Sequence, residues 1–124
     1  MNENRINAIK AYFGKQLLRC KEQQQTLSSD SRSDESVFSR IEMNVYDIFN
    51  TIFATALKLH ATDEDKVKDF FNLKTEQIPQ AWKSSLQAAE EHGNFEKAYI
   101  ERIKLDTIFQ IKNAFQELWE ASYD

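Results

Sequence analysis

A chain of 124 residues is long enough to enclose one hydrophobic core without disulfides or a structural metal, so a single domain over 1–124 is expected. Two glycines and one proline, set among many Lys, Glu, Gln, Leu, Ile and Ala, favour helices over a meander of short strands and exclude any phosphate-cradling or dinucleotide-binding glycine loop. The net charge of −4 gives no overall attraction to a phosphate backbone or an anionic bilayer.

The opening residues, Met1 to Arg5, lack a basic segment followed by an apolar run, and no stretch approaches the ~18 uncharged residues of a membrane span. Cys20 is the single cysteine and has no intramolecular partner. Together these predict a reduced, cytoplasmic protein that does not enter a membrane.

A first helix is predicted over about 4–27, because Ile6, Ile9, Phe13, Leu17 and Cys20 recur three or four apart and share one stripe. The Ser-rich segment 28–33 offers little apolar area to offset ordering entropy and reads as a flexible polar loop. Ser33 or Asp34 can cap a second helix over about 34–60. Its positions Ile41, Val45, Ile48, Ile52, Thr55 and Leu59 alternate steps of four and three, the spacing of a helix-packing seam. Tyr46, Phe49, Phe53 and Leu57 add a second strip, which places this helix at the centre of the bundle.

Thr62 before three carboxylates reads as the cap of a short helix over about 63–72 that breaks around Asn72 to Gln77. Pro79 then sits in the first turn of a helix over about 78–92, with Ile78, Trp82, Ser85 and Ala89 facing inward. His92-Gly93-Asn94 predicts a tight antiparallel turn, glycine ending one helix and Asn94 capping the last, over about 95–121. Ile100, Ile103, Ile108, Ile111, Ala114, Phe115 and Leu118 form its apolar arc, into which Lys104 and Thr107 project. The expected fold is an all-α, antiparallel bundle of four to five helices.

Chemical motifs are scarce. No Gly-x-Ser-x-Gly elbow exists, and Cys20 on an apolar stripe behaves as a small hydrophobe. Leu57 and Ala89 stand three residues before His60 and His92, where the di-iron bundle pattern places glutamate. His60 with Asp63 or Glu64, and His92 with Glu91, bind a metal only through partners that folding brings together. Both sit near predicted helix C-termini, where a cationic ring suits the dipole. Lys104 on a buried arc must reach outward or find a carboxylate, and Glu42 and Asp47 are the partners the sequence offers.

The segment Val67 to Lys83 resembles a helix-turn-helix, with Thr75, Gln77, Gln80 and Lys83 as candidates to reach bases. It departs from that pattern at Lys68, Asn72 and Pro79, where a small residue, a turn glycine and an uninterrupted recognition helix are wanted. The sequence assigns no catalytic, cofactor or metal residue. The reading it favours is a non-enzymatic protein–protein interaction module, an adaptor, an inhibitor or a homodimeric bundle, with Leu105 and Phe109 as the surface to inspect first. A DNA-binding regulator using 67–83 is the alternative, and a metal- or small-molecule-binding bundle the third.

Overall fold

The computed structural model describes residues 1–29 and 33–123, and folds them into five α-helices: α1 (Glu3–Ser29), α2 (Ser33–Leu59), α3 (Glu64–Gln77), α4 (Pro79–Glu91) and α5 (Phe95–Glu120). The all-α bundle expected from the sequence is the fold observed.

Asn2 starts α1, its side-chain oxygen accepting from the Arg5 backbone N–H at 3.1 Å. The predicted stripe is the buried one: Ile6, Ile9, Phe13 and Cys20 are buried and Leu17 packs against them. Of the expected loop, Ser28, Ser29 and Ser33 are helical, and residues 30–32 lie outside the described residues. Ser33 and Asp34 fall inside α2, so neither is the residue that precedes it.

The predicted seam of α2 needs correction. Ile41 and Val45 are buried, but Ile48 and Leu59 are 40% and 60% exposed and Thr55 faces solvent. The face turned inward is instead Tyr46, Phe49, Phe53 and Ala56 with Val45, because three large rings fill more of the space between helices than the aliphatic strip can.

A second correction concerns α3, which does not break at Asn72 but continues to Gln77. Thr75 is buried and donates its hydroxyl to the Asn72 carbonyl, turning a polar residue back onto its own helix. Asp63, not Thr62, is the cap, accepting from the Lys66 N–H. Ile78 has helical angles, φ −62° and ψ −43°, and joins α3 to α4, with Pro79 tolerated in the first turn. A helix-turn-helix needs a turn here, and residues 72–77 supply a helix instead.

The hairpin at Gly93 forms as expected. Gly93 takes φ +67°, and Asn94 caps α5 by accepting from Lys97 N–H. Gly93→Ala is expected to cost about 1–2 kcal/mol through its left-handed backbone, although no atom obstructs the added methyl. Gly14→Ala, in open space within α1, should instead gain about 0.5–1 kcal/mol. Urea denaturation of the pair reads opposite signs; equal signs would contradict this account of the turn.

The helices run up and down as four arms. Ser39 of α2 donates to the Cys20 carbonyl of α1, while Arg5 at the start of α1 reaches Glu64 just past the end of α2, so α1 and α2 are antiparallel. Tyr46 bonds Gln110 and Phe53 meets Phe115, so α5 runs parallel to α2. The third arm is α3 and α4 end to end, and its span of 64–91 matches the 27, 27 and 26 residues of α1, α2 and α5. The arms meet around Phe71, whose ring touches Phe13, Phe49, Phe53 and Phe115. Beyond Pro79 the third arm follows α5: Trp82 still packs against the core, but the backbone of α4 comes close to neither α1 nor α2.

Candidate functional site

A groove with a volume of about 720 Å³ lies at the end of the bundle away from Arg5. One wall is Arg19, Glu22, Gln23 and Thr26 of α1, and the other is Glu35, Phe38, Ser39 and Glu42 of α2. Each set is spaced i, i+3, i+4, i+7, the single face that one helix offers to another. Tyr99 of α5 closes the third side.

Polar contacts fix the floor. The guanidinium of Arg19 donates to Gln16 and Gln23, both at 2.9 Å, and pairs with Glu42 at 3.6 Å. Its cationic centre also stands 6.0 Å from the ring of Tyr46. Glu42 is largely buried, so Arg19 is its local neutralising charge. Beneath lie Tyr12 and Tyr46, ring edge to ring face, and Cys20. Burial pushes both phenols and the Cys20 thiol above their ordinary pKa values, with Arg19 pulling each back in part. All three stay neutral at physiological pH, so Cys20 is a packed hydrophobe and not a thiolate nucleophile.

The rim is aromatic. Phe38 is 38% exposed, Tyr99 is 47% exposed, and Phe95, one turn before Tyr99 on the same side of α5, is 84% exposed. Leaving such rings in water forfeits the gain of burying them, which marks a surface that another apolar group covers.

Among the polar residues singled out from the sequence, only Glu42 lines this groove. Lys104 finds neither Glu42 nor Asp47: its ammonium meets Glu101 of its own helix at 3.3 Å and lies 5.8 Å from the Trp82 ring. Asp47 is exposed on α2. His60 follows α2 and packs its ring against Phe70, and His92 is the exposed C-cap of α4. Among the described residues no three His, Cys, Asp or Glu side chains are grouped to hold a metal ion. Of the helix-turn-helix candidates, Thr75 is buried, and Gln77, Gln80 and Lys83 are exposed.

Leu105 and Phe109 border a smaller groove of about 200 Å³ between α5 and the α3–α4 junction, shared with Pro79, Ile108 and Lys112. Phe109 is 65% exposed, whereas Leu105 is half-buried. Lys112 and Glu76 pair across its mouth. This crevice is smaller and less aromatic than the one at the far end. Sequence reasoning missed Phe38, Phe95 and Tyr99; their one signal was large apolar residues at the starts of helices, off the predicted arcs.

A family model described as acidic fibroblast growth factor binding (FIBP) matches residues 4–123, nearly the whole chain. The chain belongs to the FIBP family. No curated protein and no solved structure matches it. The FIBP match runs through all five helices, so both walls of the groove and its aromatic rim lie inside the matched region. None of the helices described in this FIBP chain is long and apolar enough to cross a membrane.

Proposed function

We propose that this chain is a non-enzymatic, cytoplasmic protein-binding module that receives its partner in the groove between α1, α2 and the start of α5. The observation that carries the reading is the pair of exposed aromatics, Phe38 and Tyr99, on a concave surface walled by two helix faces, with exposed Phe95 one turn before Tyr99. The floor supports binding over catalysis: Arg19 is bonded to Gln16 and Gln23 and paired with Glu42, and the buried phenols and thiol below it are held neutral. Membership of a family described as binding acidic fibroblast growth factor supports a protein partner and supplies the first one to test.

The test is an NMR titration of the isotope-labelled chain with acidic fibroblast growth factor, repeated on Phe38→Ala/Tyr99→Ala. The expected result is a set of shifts confined to the groove, with affinity lowered about tenfold or more in the double variant, as for aromatic anchors at the centre of an interface. Both rings are exposed enough that the variant keeps its fold. Unchanged affinity, or shifts centred on another face, would sink the groove as the binding surface; no binding at all would remove this growth factor as the partner.

A further inference from the structure

The strip on α2 that the sequence marks as a packing seam is only partly used inside the chain. Ile48 and Leu59 are exposed, and so are Asp47, Thr51, Thr55 and Lys58 beside them. At about 100° per residue these six side chains share one face of the helix, in three lines. Asp47 and Lys58 form one edge, Ile48 and Leu59 the other, and Thr51 and Thr55 run between. This face begins a turn beyond Glu42, the last α2 residue of the groove, and what it does is independent of what the groove binds.

The two charges on the face are uncompensated: neither the Asp47 nor the Lys58 side chain has an ion-pair or hydrogen-bond partner among the described residues. Thr55 already donates its hydroxyl to the Thr51 carbonyl at 2.9 Å, so it can enter a dry contact with its donor satisfied. Short side chains along the middle line let a second helix approach closely.

Spacing then selects the occupant. Asp47 and Lys58 are eleven residues apart, Ile48 and Leu59 are eleven apart, Thr51 and Thr55 are four apart, and all three pairs are centred close to residue 53. A two-fold axis at that point lays α2 antiparallel on the α2 of a second copy. Each Asp47 then faces Lys58 of the other copy, each Ile48 faces Leu59, and each Thr51 faces Thr55. An antiparallel two-fold keeps each edge on its own side of the seam, so charged edge meets charged edge and aliphatic meets aliphatic. A parallel pair would set the carboxylate of Asp47 against the aliphatic edge instead.

We infer that the protein self-associates through this face as an antiparallel α2–α2 dimer, bordered by two Asp47–Lys58 ion pairs on one side and two Ile48–Leu59 contacts on the other. The contact runs along about 18 Å of each helix and is half polar, which makes it a small interface and the dimer one of micromolar affinity. The core of each chain is enclosed without it, so substitutions on this face leave the fold intact.

Sedimentation velocity of the full chain over roughly 10 μM to 1 mM, a range that brackets such an affinity, should show a monomer giving way to a dimer. Asp47→Lys and Lys58→Asp each place like charges together at both ends, and each should weaken the dimer at least about tenfold, although they move the net charge in opposite directions. Mixing those two variants restores opposite charges at both ends and should restore the dimer, as should Asp47→Lys/Lys58→Asp in one chain. Ile48→Ser/Leu59→Ser should dissociate it, and Phe38→Ala/Tyr99→Ala, in the groove, should not. A chain that stays monomeric throughout overturns the inference, as does a dimer indifferent to the single charge reversals or one that the mixture fails to restore. Weakening by Lys58→Asp alone would reduce the effect to general repulsion between acidic chains, and dissociation by Phe38→Ala/Tyr99→Ala would move the contact to the groove; either result also overturns it.

Discussion

Phe71→Ala is expected to lower the free energy of unfolding by about 3–5 kcal/mol, the cost of truncating a fully enclosed aromatic. Phe71 has no exposed surface, stacks on Phe115 with ring centroids 4.1 Å apart, and meets Phe13, Phe49 and Phe53 at 6.0–6.2 Å. Those four rings belong to α1, α2 and α5, so this one side chain joins its own helix to all the other arms that reach the centre. Removing it leaves a void bounded by rigid rings on several helices, which cannot all close inward together. Against a total stability of roughly 5–15 kcal/mol for such a domain, the loss leaves a chain that unfolds at low denaturant. Phe71→Leu, which keeps most of the volume, should cost less than half as much. Phe109→Ala, at a mostly exposed ring, should change stability by about 0.5 kcal/mol or less. Urea titrations of the three variants read the order directly. A Phe71→Ala chain as stable as Phe109→Ala would mean that the arms are not held together at this point.

The importance of Phe71 was only partly legible in the sequence. Its apolar character and helical setting were, as were the α1 stripe and the Gly93–Asn94 turn, because each depends on residues within a few positions of one another. What failed was choice between local options. Helix α2 offers one strip through Ile48, Ile52 and Leu59 and another through Tyr46, Phe49 and Phe53, and its local spacing points to the first as the seam. The rings of Phe13, Phe71 and Phe115, distant in sequence, settle it for the aromatic strip. Likewise Asn72 to Gln77 has turn-forming composition but helical structure, since packing of Phe71 and Thr75 on either side of the supposed break overrides weak propensity.

The groove was hidden for a related reason. Arg19, Glu22, Gln23 and Thr26 read individually as the solvated side of a helix, and so do Glu35 and Ser39. Only the juxtaposition of two such faces, with Tyr99 of α5 beside them, makes them a concavity. The sequence offers Glu42, with Asp47, as a partner for Lys104 on another helix, but its cation is Arg19. Sequence spacing reveals which residues share a face; it does not reveal which faces meet.

Lys104 and Glu101 give an asymmetric prediction that follows from this rearranged pairing. Glu101 is 5% exposed, with one carboxylate oxygen 3.3 Å from the Lys104 ammonium and the other buried without a hydrogen-bond partner among the described residues. Lys104 keeps 30% of its side chain in contact with solvent and lies over Trp82. Removing the cation by Lys104→Met strands a buried carboxylate, and the expected cost is about 2 kcal/mol, below the full penalty for breaking a buried pair because water reaches the ammonium's side of the contact. Glu101→Met does the reverse: it deletes the imperfectly satisfied group, while Lys104 turns its amine to water and retains Trp82. That variant should be within about 1 kcal/mol of the parent chain or more stable. The double variant should resemble Glu101→Met, because once the carboxylate is gone the lysine has nothing left to neutralise. Denaturation of the three chains measures the asymmetry. If Glu101→Met costs as much as Lys104→Met, the carboxylate contributes to stability in its own right and the orphaned oxygen has a partner in solution. If Lys104→Met costs nothing, the contact is an exposed ion pair of no structural consequence, and the lysine that stood out in the sequence is a surface residue leaning on Trp82.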